Sequence, residues 1–327
     1  MKGVRIVMGA LCLGFSSVVA AQAVEGTLVL YTSQPERDVT QTVAAFSAQH
    51  PGVKVEVFRS GTTEVMAKLA AEFAAGQAQP DLLLIADAAS MEALKKDQRL
   101  LAYPEAQVAQ LASGSYDADK TYFATKLITT GIAVHSDAKL KPTRWADLTG
   151  PDYKGAIAMP SPLYSGAAAI MLASVTSHDD LGWQFYEGLK ANSAIAVRGN
   201  GAVLNAVAGG ERTVGVLVDY MAFNAKAKGS PVEFVFPEEG NPAVTEPVAI
   251  LSTTKNAPAA RAFVDFLLST DGQALAAKMG YIPARTDVAG PEWLPAGVTI
   301  KLMPTDIPRA VADNAANLKR FEQIFAQ

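Results

Sequence analysis

Apolar and polar positions follow one another along the chain in a way that predicts buried strands separated by amphipathic helices. Residues 27–31 form a continuous apolar run, and apolar side chains then recur at helical spacing from 39 to 46. The same order follows, with strands predicted at 53–57 and 81–85. Continuous apolar strands are typical of parallel sheets that helices cover on both faces. The pattern therefore predicts an α/β fold with a ligand site at the carboxyl ends of its strands.

A second series of strands and helices is predicted between about 125 and 235. A long strand-like segment at 122–134 leads into it and is a candidate crossing between two lobes. Apolar strands are expected at 156–159 and 213–218. Later in the chain, one continuous helix is predicted over 258–278, because proline is tolerated in the first turn of a helix.

The first 23 residues have the pattern of a secretory signal peptide. Lys2 and Arg5 give a basic start, residues 6–20 are apolar, and Ala21-Gln22-Ala23 is a small-x-small cleavage site. Such a segment is too short and wrongly flanked for a membrane span. We therefore expect an exported, periplasmic protein that is cleaved after Ala23.

The single cysteine, Cys12, lies inside this segment, so the exported chain is expected to have no disulfide and no thiol chemistry. Leu11 precedes it where a lipoprotein signal needs a small residue, so lipid attachment is not expected. Later stretches fall short of roughly 18 uninterrupted apolar residues, which predicts a soluble protein. The formal net charge of −4 argues against nucleic acid and anionic membranes as partners.

The sequence lacks the common motifs of catalysis and of cofactor binding. Its histidines, His50, His135 and His178, are scattered, and it has no Gly-x-Ser-x-Gly elbow, phosphate-binding loop or dinucleotide fingerprint. We therefore expect recognition of a ligand without catalysis, and no cofactor.

Small polar residues occupy the junction between the second strand and the helix after it. Ser60-Gly61-Thr62-Thr63-Glu64 supplies hydroxyls and free backbone N–H groups where that helix starts. The first N–H groups of a helix lack intrahelical partners and carry its positive partial charge. The junction therefore predicts an anion-binding site, in which Gly61 lets a ligand approach the backbone. Ordinary N-capping by Ser or Thr is the alternative.

A second junction of the same kind favours the anion site. Ser165-Gly166-Ala167 opens a helix in the later series, and Ser33 follows the first strand. Helix starts from two lobes would converge on one anion, and binding would then be coupled to closure of the lobes.

Two acids and two arginines are further candidates. Asp219, followed by Tyr220, ends an apolar strand, and Glu246 precedes another. These carboxylates could receive a cation or the hydroxyls of a ligand, or they could be solvated loop acids. Arg59 and Arg198 could add positive charge to the site, or they could be ordinary surface arginines.

The chain resembles the periplasmic solute-binding proteins of ABC importers. The resemblance is carried by residues 28–101, by the segment GVLVDYMAFNAKAKG and by the segment AARAFVDFLLSTDGQALAAKMGYIP. It points to the class that binds ferric ion, 2-aminoethylphosphonate or sugar phosphates. Such proteins have the two-lobed type II fold, in which each lobe is a mixed, mainly parallel sheet flanked by helices.

The resemblance also implies the domain organisation and the partners. One lobe is expected to contain residues 24–124 and about 247–300, and the other 125–246 and about 301–327. The expected partners are a small anionic ligand and an inner-membrane ABC permease with its ATPase, and the protein is expected to be a monomer. Presentation of the ligand to a membrane sensor kinase stays open.

The resemblance gives a further indication of the ligand. Ferric-binding members use a histidine after the first strand, an acid at the second helix start and two adjacent tyrosines. The matching positions here are Pro35, Thr63, Asp219 and Tyr220, of which only Tyr220 agrees, with Glu64 one place from the acid. We therefore expect a small phosphonate or phosphate ester, such as 2-aminoethylphosphonate. The alternative is ferric ion, with Tyr220, Glu64 and Asp219 as its ligands.

Overall fold

The structure is a computed structural model that describes residues 24–326. The predicted signal peptide, with its cleavage site after Ala23, lies outside the described residues. Within the described part, no helix is long and apolar enough to cross a membrane.

Twelve strands and ten helices make up the described chain, together with two short 3-10 helices. The strands are β1 Gly26–Thr32, β2 Val53–Arg59, β3 Leu82–Leu84, β4 Leu100–Leu101, β5 Tyr122–His135, β6 Ile157–Pro160, β7 Ile195–Val197, β8 Val214–Val218, β9 Val232–Val235, β10 Asn241–Leu251, β11 Ile282–Pro283 and β12 Leu302–Met303. The helices are α1 Glu36–Gln49, α2 Thr62–Ala74, α3 Ala88–Lys96, α4 Gly166–Thr176, α5 Gly182–Ala191, α6 Asn200–Ala208, α7 Asp219–Ala227, α8 Ala257–Leu268, α9 Thr270–Lys278 and α10 Ile307–Phe325.

The main strands lie in the order β2-β1-β3-β10-β5-β8-β6-β7. In the first half, β1 is parallel to β2 and β3, and in the second half, β6 is parallel to β7 and β8. The long strands β5 and β10 run antiparallel to each other between the halves. This is the mixed α/β fold that the sequence predicts, with a parallel set of three strands in each half.

Strands β5 and β10 join the two halves. The first part of β5 pairs with β10 and β11, whereas its last part pairs with β8 and β9. The pairing of β10 with β5 shifts register between Thr245 and Pro247. The predicted division of the chain into lobes at 124 and 246 falls within these two strands, and it stays a prediction.

Each half of the sheet packs a separate apolar core. Around β1, Leu28, Phe46 and Phe263 are fully buried. Around β6, Trp145 and Phe185 are buried against each other at a ring-centroid distance of 6.1 Å. Burial of such side chains supplies the main favourable free energy of folding, so each half contains a core of its own.

The helix predicted over 258–278 is two helices. Ser269, between α8 and α9, has extended backbone angles, and its hydroxyl accepts a hydrogen bond from the N–H of Gly272 at 3.1 Å. A serine in this position caps a new helix and ends the previous one. The apolar spacing continues through both helices, which is why the pattern alone predicts one.

Candidate functional site

The ends of the parallel strands in both halves surround one cavity of about 350 Å³. The lining residues come from the loops after β1, β2, β3, β6, β7 and β8 and from the two long strands. They are Ser33, Pro35, Arg59, Gly61, Thr62, Ala86, Ile128, Tyr164, Ser165, Gly166, Ala167, Arg198, Gly199, Asn200, Gly201, Ala202, Val218, Tyr220, Met221 and Glu246.

The N-termini of three helices meet at this cavity. Helix α2 begins at Thr62, α4 at Gly166 and α6 at Asn200, and all three residues line it. Helix α2 belongs to the first half of the sheet, and α4 and α6 belong to the second. Because the first N–H groups of each helix lack intrahelical partners, the cavity receives backbone donors and positive partial charge from both halves.

Three hydroxyl groups add side-chain donors. Ser33 Oγ accepts from the N–H of Ala86 at 3.1 Å, and Ser165 Oγ accepts from the N–H of Ala168 at 3.4 Å. Each hydroxyl therefore keeps its own hydrogen for a ligand. Thr62 contributes a third hydroxyl, which forms no hydrogen bond with any residue that the structure describes.

Two arginines give the cavity its formal positive charge. Arg59 Nε donates to the carbonyl oxygen of Gln34 at 2.7 Å, and its guanidinium has no carboxylate partner among residues 24–326. Arg198 pairs with Glu64 at 3.0 Å, across the boundary between the two halves. The sequence leaves open whether these two arginines belong to the site or to the ordinary surface, and in the structure both line the cavity.

Glu246 lies at the cavity with its charge already balanced. Its Oε2 atom is 2.7 Å from Lys126 Nζ and accepts from Gln34 Nε2 at 3.2 Å. Lys126 and Glu246 are 3% and 2% exposed, so the pair is removed from bulk water. Glu246 Oε1 accepts no hydrogen bond from the described residues and is available to a ligand.

Asp219 points away from the cavity. Its carboxylate accepts from the backbone N–H and the hydroxyl of Thr129 at 3.0 and 2.7 Å, and from the N–H of Tyr220 at 2.7 Å. Burial raises the pKa of Asp219 from 3.8 to about 7. Asp219 therefore connects β5 to the start of α7 and is not part of the cavity lining.

Tyr220 lies in the cavity wall but is buried. Its ring packs on Tyr281 at a centroid distance of 4.1 Å, and burial raises the pKa of its phenol. The phenol of Tyr220 is therefore neutral at ordinary pH.

The remaining predicted residues lie beside the cavity and outside its lining. Glu64 accepts from the hydroxyl of Ser60 as well as from Arg198. The N–H of Thr63 donates to the carbonyl oxygen of Tyr164 at 3.5 Å. Glu64 and Thr63 therefore connect the two halves beside the cavity, and Ser60 holds Glu64 in place.

The structure thus brings eight of the twelve predicted residues into one cavity, namely Ser33, Gly61, Thr62, Ser165, Gly166, Ala167, Tyr220 and Glu246. It leaves Ser60, Thr63, Glu64 and Asp219 out of the lining. The sequence analysis missed the start of α6, although Gly199-Asn200-Gly201 before an apolar run is a helix-start signal. Tyr164 follows β6 at the same end of the sheet, but nothing in its local pattern shows that a distant glycine packs on it.

The two halves approach very closely at the cavity. A Cβ atom at Gly166 would lie 2.6 Å from the carbonyl oxygen of Ala86 and 2.7 Å from Thr62 Oγ1. Only glycine lets the start of α4 come this near to the other half. Within the described residues, no group of three or more His, Asp and Glu side chains is arranged to hold a metal ion.

Residues 27–282 match the bacterial extracellular solute-binding proteins. The chain therefore belongs to this family, and its fold is that of the two-lobed type II periplasmic binding proteins of ABC importers. It is a periplasmic substrate-binding component of an ABC transporter, and membership of the family implies export. The cleavage site after Ala23 stays a prediction.

Individual relatives agree with this assignment. The chain is 27% identical over 305 residues to the probable ABC transporter periplasmic-binding protein y4fP of Sinorhizobium fredii, covering 86% of this chain and 82% of that protein. It is 25% identical over 284 residues to the Fe(3+)-binding periplasmic protein of Serratia marcescens, covering 83% and 81%. The structure of the periplasmic binding protein AfuA from Actinobacillus pleuropneumoniae, with fructose 6-phosphate bound, superposes with a TM-score of 0.82 at 24% identity and covers 91% of this chain and 98% of that one.

Proposed function

We propose that this protein captures a small phosphonate or phosphate ester between its lobes and delivers it to an ABC permease. The observation that carries the proposal is the convergence of three helix N-termini and two arginines on one cavity of about 350 Å³. Backbone N–H groups at helix starts are well suited to phosphoryl oxygens, and guanidinium groups match their geometry.

The charges of the lining favour an anionic group. Arg59 is a cation without a carboxylate partner in the described chain, and Arg198 shares its charge with Glu64. The one acid in the lining, Glu246, is balanced by Lys126. The cavity therefore has a positive balance before the helix dipoles are counted, which is the condition for binding a phosphoryl dianion.

The free oxygen of Glu246 supports a ligand with a hydrogen-bond donor at its other end. Glu246 Oε1 is unpartnered among the described residues, whereas Oε2 is held by Lys126 and Gln34. An ammonium group or a sugar hydroxyl would satisfy it. 2-Aminoethylphosphonate and sugar phosphates both have an anionic end and a donor end, and a protein of this fold, AfuA, was solved with fructose 6-phosphate.

The sequence offers both Asp219 and Glu246 as carboxylates that could bind the cationic or hydroxyl end of a ligand, and we assign this role to Glu246. The oxygens of Asp219 accept hydrogen bonds from Thr129 and from the start of α7, and Asp219 is absent from the cavity lining. We propose Glu246 as the residue that distinguishes an aminophosphonate from an alkyl phosphonate.

Ferric ion is the alternative, and Tyr220 in the cavity wall is the observation in its favour. Its two companions are held elsewhere, Glu64 by Arg198 and Ser60, and Asp219 by Thr129. A hard trivalent cation needs several anionic oxygens together, whereas the phenol of Tyr220 has a raised pKa. The contacts support the phosphoryl ligand over the metal.

Isothermal titration calorimetry against phosphate, ethylphosphonate, 2-aminoethylphosphonate and fructose 6-phosphate tests the proposal. We expect at least one donor-bearing ligand to bind about tenfold or more tightly than ethylphosphonate, since one charge-assisted hydrogen bond is worth about 1.5–3 kcal/mol. Glu246→Gln combined with Lys126→Met, which leaves no unpaired charge at this buried pair, should remove most of that preference and keep the anion affinity.

Two results would contradict the proposal. One is the absence of heat with all four ligands, together with stoichiometric iron in the purified protein. The other is turnover of the esters, measured as released phosphate, because the proposed role is capture without catalysis.

A further inference from the structure

Tyr164 occupies a confined position between the two halves of the protein. It lies in the loop between β6 and α4 and lines the cavity. One edge of its ring faces Gly61, at the start of α2, and the other edge faces Gly199, at the start of α6. Its carbonyl oxygen also accepts from the N–H of Thr63 at 3.5 Å. The ring therefore reaches from the second half of the protein into the first.

Both cavity arginines contact this one side chain. Arg59 Nη1 donates to the Tyr164 hydroxyl at 3.5 Å, and the guanidinium carbon of Arg198 lies 4.6 Å from the ring centroid. Arg59 comes from the end of β2 and Arg198 from the end of β7, so the two arginines belong to opposite halves. A cation over an aromatic face is attracted by the ring quadrupole, which fixes the orientation of the guanidinium.

We propose that Tyr164 is a positioning residue that couples closure of the two lobes to the placement of Arg59 and Arg198 on the ligand. When the lobes close, the ring of Tyr164 enters the space beside Gly61. Its hydroxyl then accepts a hydrogen bond from Arg59, which lies on the other side of the cleft. The two guanidinium groups then face the same cavity. The part that concerns the ligand rests on the proposed function, and the part that concerns closure does not.

The space for the ring depends on the absence of a side chain at residue 61. A Cβ atom there would lie 2.6 Å from Tyr164 Cζ, closer than real carbon atoms approach. Gly199 is less restrictive, since its Cβ would be 3.2 Å from the ring. Gly290 is exposed, lies outside the cavity lining and has no heavy atom nearer than 3.9 Å to its Cβ position. Gly61→Ala and Gly290→Ala are therefore a matched pair that differs in whether the ring is obstructed.

Closure can be measured by the distance between two spin labels on the exported chain. Residues 24–327 contain no cysteine, so Gln41→Cys and Asp179→Cys, at exposed sites in the two halves, give a unique pair. We expect the native protein and Gly290→Ala to show a short-distance population that Gly61→Ala lacks. Equal distance distributions in all three proteins would overturn the proposal.

The positioning role is tested with 2-aminoethylphosphonate as the probe. Gly61→Ala is expected to raise its dissociation constant about tenfold or more, because overpacking of this size is costly, while Gly290→Ala stays within about twofold. Tyr164→Phe keeps the ring and loses the contact with Arg59, so its binding should become less dependent on salt. A merely structural tyrosine would change the melting temperature and leave that salt dependence as it is.

The two proposals fail in different ways. If the native protein binds none of the phosphoryl probes but Gly61→Ala alone loses the short distance, closure by Tyr164 stands and the ligand class is wrong. If the probes bind and Tyr164→Phe keeps both the affinity and the salt dependence of the native protein, the ligand class stands and the positioning role is wrong.

Discussion

At the scale of single residues, the hydroxyl of Ser165 has two tasks. It accepts from the N–H of Ala168 in the first turn of α4 and from Asn200 Nδ2, both at 3.4 Å. Its own hydrogen is left for the ligand. Capping and ligand binding are therefore compatible here, although the sequence presents them as alternatives.

Replacement of Ser165 by Ala should weaken binding of a phosphoryl ligand by about 1–3 kcal/mol, the loss of one charge-assisted donor. Loss of the cap should also lower the free energy of unfolding by about 1 kcal/mol. Thr62→Ala should weaken binding by a similar amount. Ser174→Ala is a suitable control, because its hydroxyl binds Ile170 and Thr305, away from the cavity. Calorimetry and thermal unfolding separate the two effects, and normal binding by both cavity variants would show that neither hydroxyl contacts the ligand.

Asp219 gives a pH prediction with a defined sign. Burial raises its pKa from 3.8 to about 7, so the folded protein holds the proton more tightly than the unfolded chain does. Its contribution favours folding at low pH and is lost as the pH rises from about 4 to about 7. We expect Asp219→Asn to show a smaller fall of the unfolding free energy over this interval than the native protein.

Urea unfolding at several pH values measures this difference. Asp137→Asn, at an exposed position, should follow the native protein throughout. Parallel profiles of the native protein and Asp219→Asn would show that the buried carboxylate titrates in its ordinary range.

Sequence position alone located Asp219 and Glu246 but could not separate their roles. Asp219 follows the apolar strand β8, whereas Glu246 lies inside β10, which begins at Asn241 and not after Glu246 as the sequence predicts, and both are buried. The difference lies in distant partners, Thr129 for one and Lys126 for the other. Such pairings depend on how β5 crosses the molecule, which no local pattern contains.

At the scale of elements, the start of α6 is the main addition to the predicted site. The strand before it, β7, has three residues, so its apolar signal is too short to reveal a βα unit. By contrast, the junctions before α2 and α4 follow longer strands and were predicted from the sequence. The apolar pattern therefore does not predict the third helix start, although the glycines around Asn200 are a helix-start signal.

A negative charge at this helix start separates helix stability from ligand binding. Gly201→Asp places a carboxylate in the first turn of α6, where it stabilises the helix by about 0.3–1 kcal/mol. The same carboxylate faces the cavity and repels a phosphoryl group, so the affinity should fall about tenfold or more. Gly201→Asn is the neutral control of similar shape. Unchanged phosphate-ester binding by Gly201→Asp, with a normal melting temperature, would place the anion away from α6.

At the scale of the whole molecule, the two lobes meet through β5 and β10, and a buried ion pair joins these strands. Lys126 lies on β5 and Glu246 on β10, with Nζ and Oε2 2.7 Å apart. Lys126 Nζ also lies 4.2 Å from the ring centroid of Tyr281, whose hydroxyl donates to Asp38 at 2.6 Å. The segment where β5 and β10 cross between the lobes is thus polar and closely packed, and through Glu246 it borders the cavity.

The ion pair makes a prediction for the stability of the whole protein. Lys126→Met would leave Glu246 charged, buried and without its cation, which typically costs about 3–5 kcal/mol of unfolding free energy. The double variant Lys126→Met with Glu246→Gln removes both charges and should recover most of that loss, because the penalty comes from the unpaired charge and not from the missing attraction. Lys54→Met is the control, since the pair of Lys54 with Glu56 is exposed and worth no more than about 1 kcal/mol. Urea unfolding of the native protein and the three variants measures these differences. If the double variant is as unstable as Lys126→Met, packing of the lysine side chain, and not its charge, holds the two strands together.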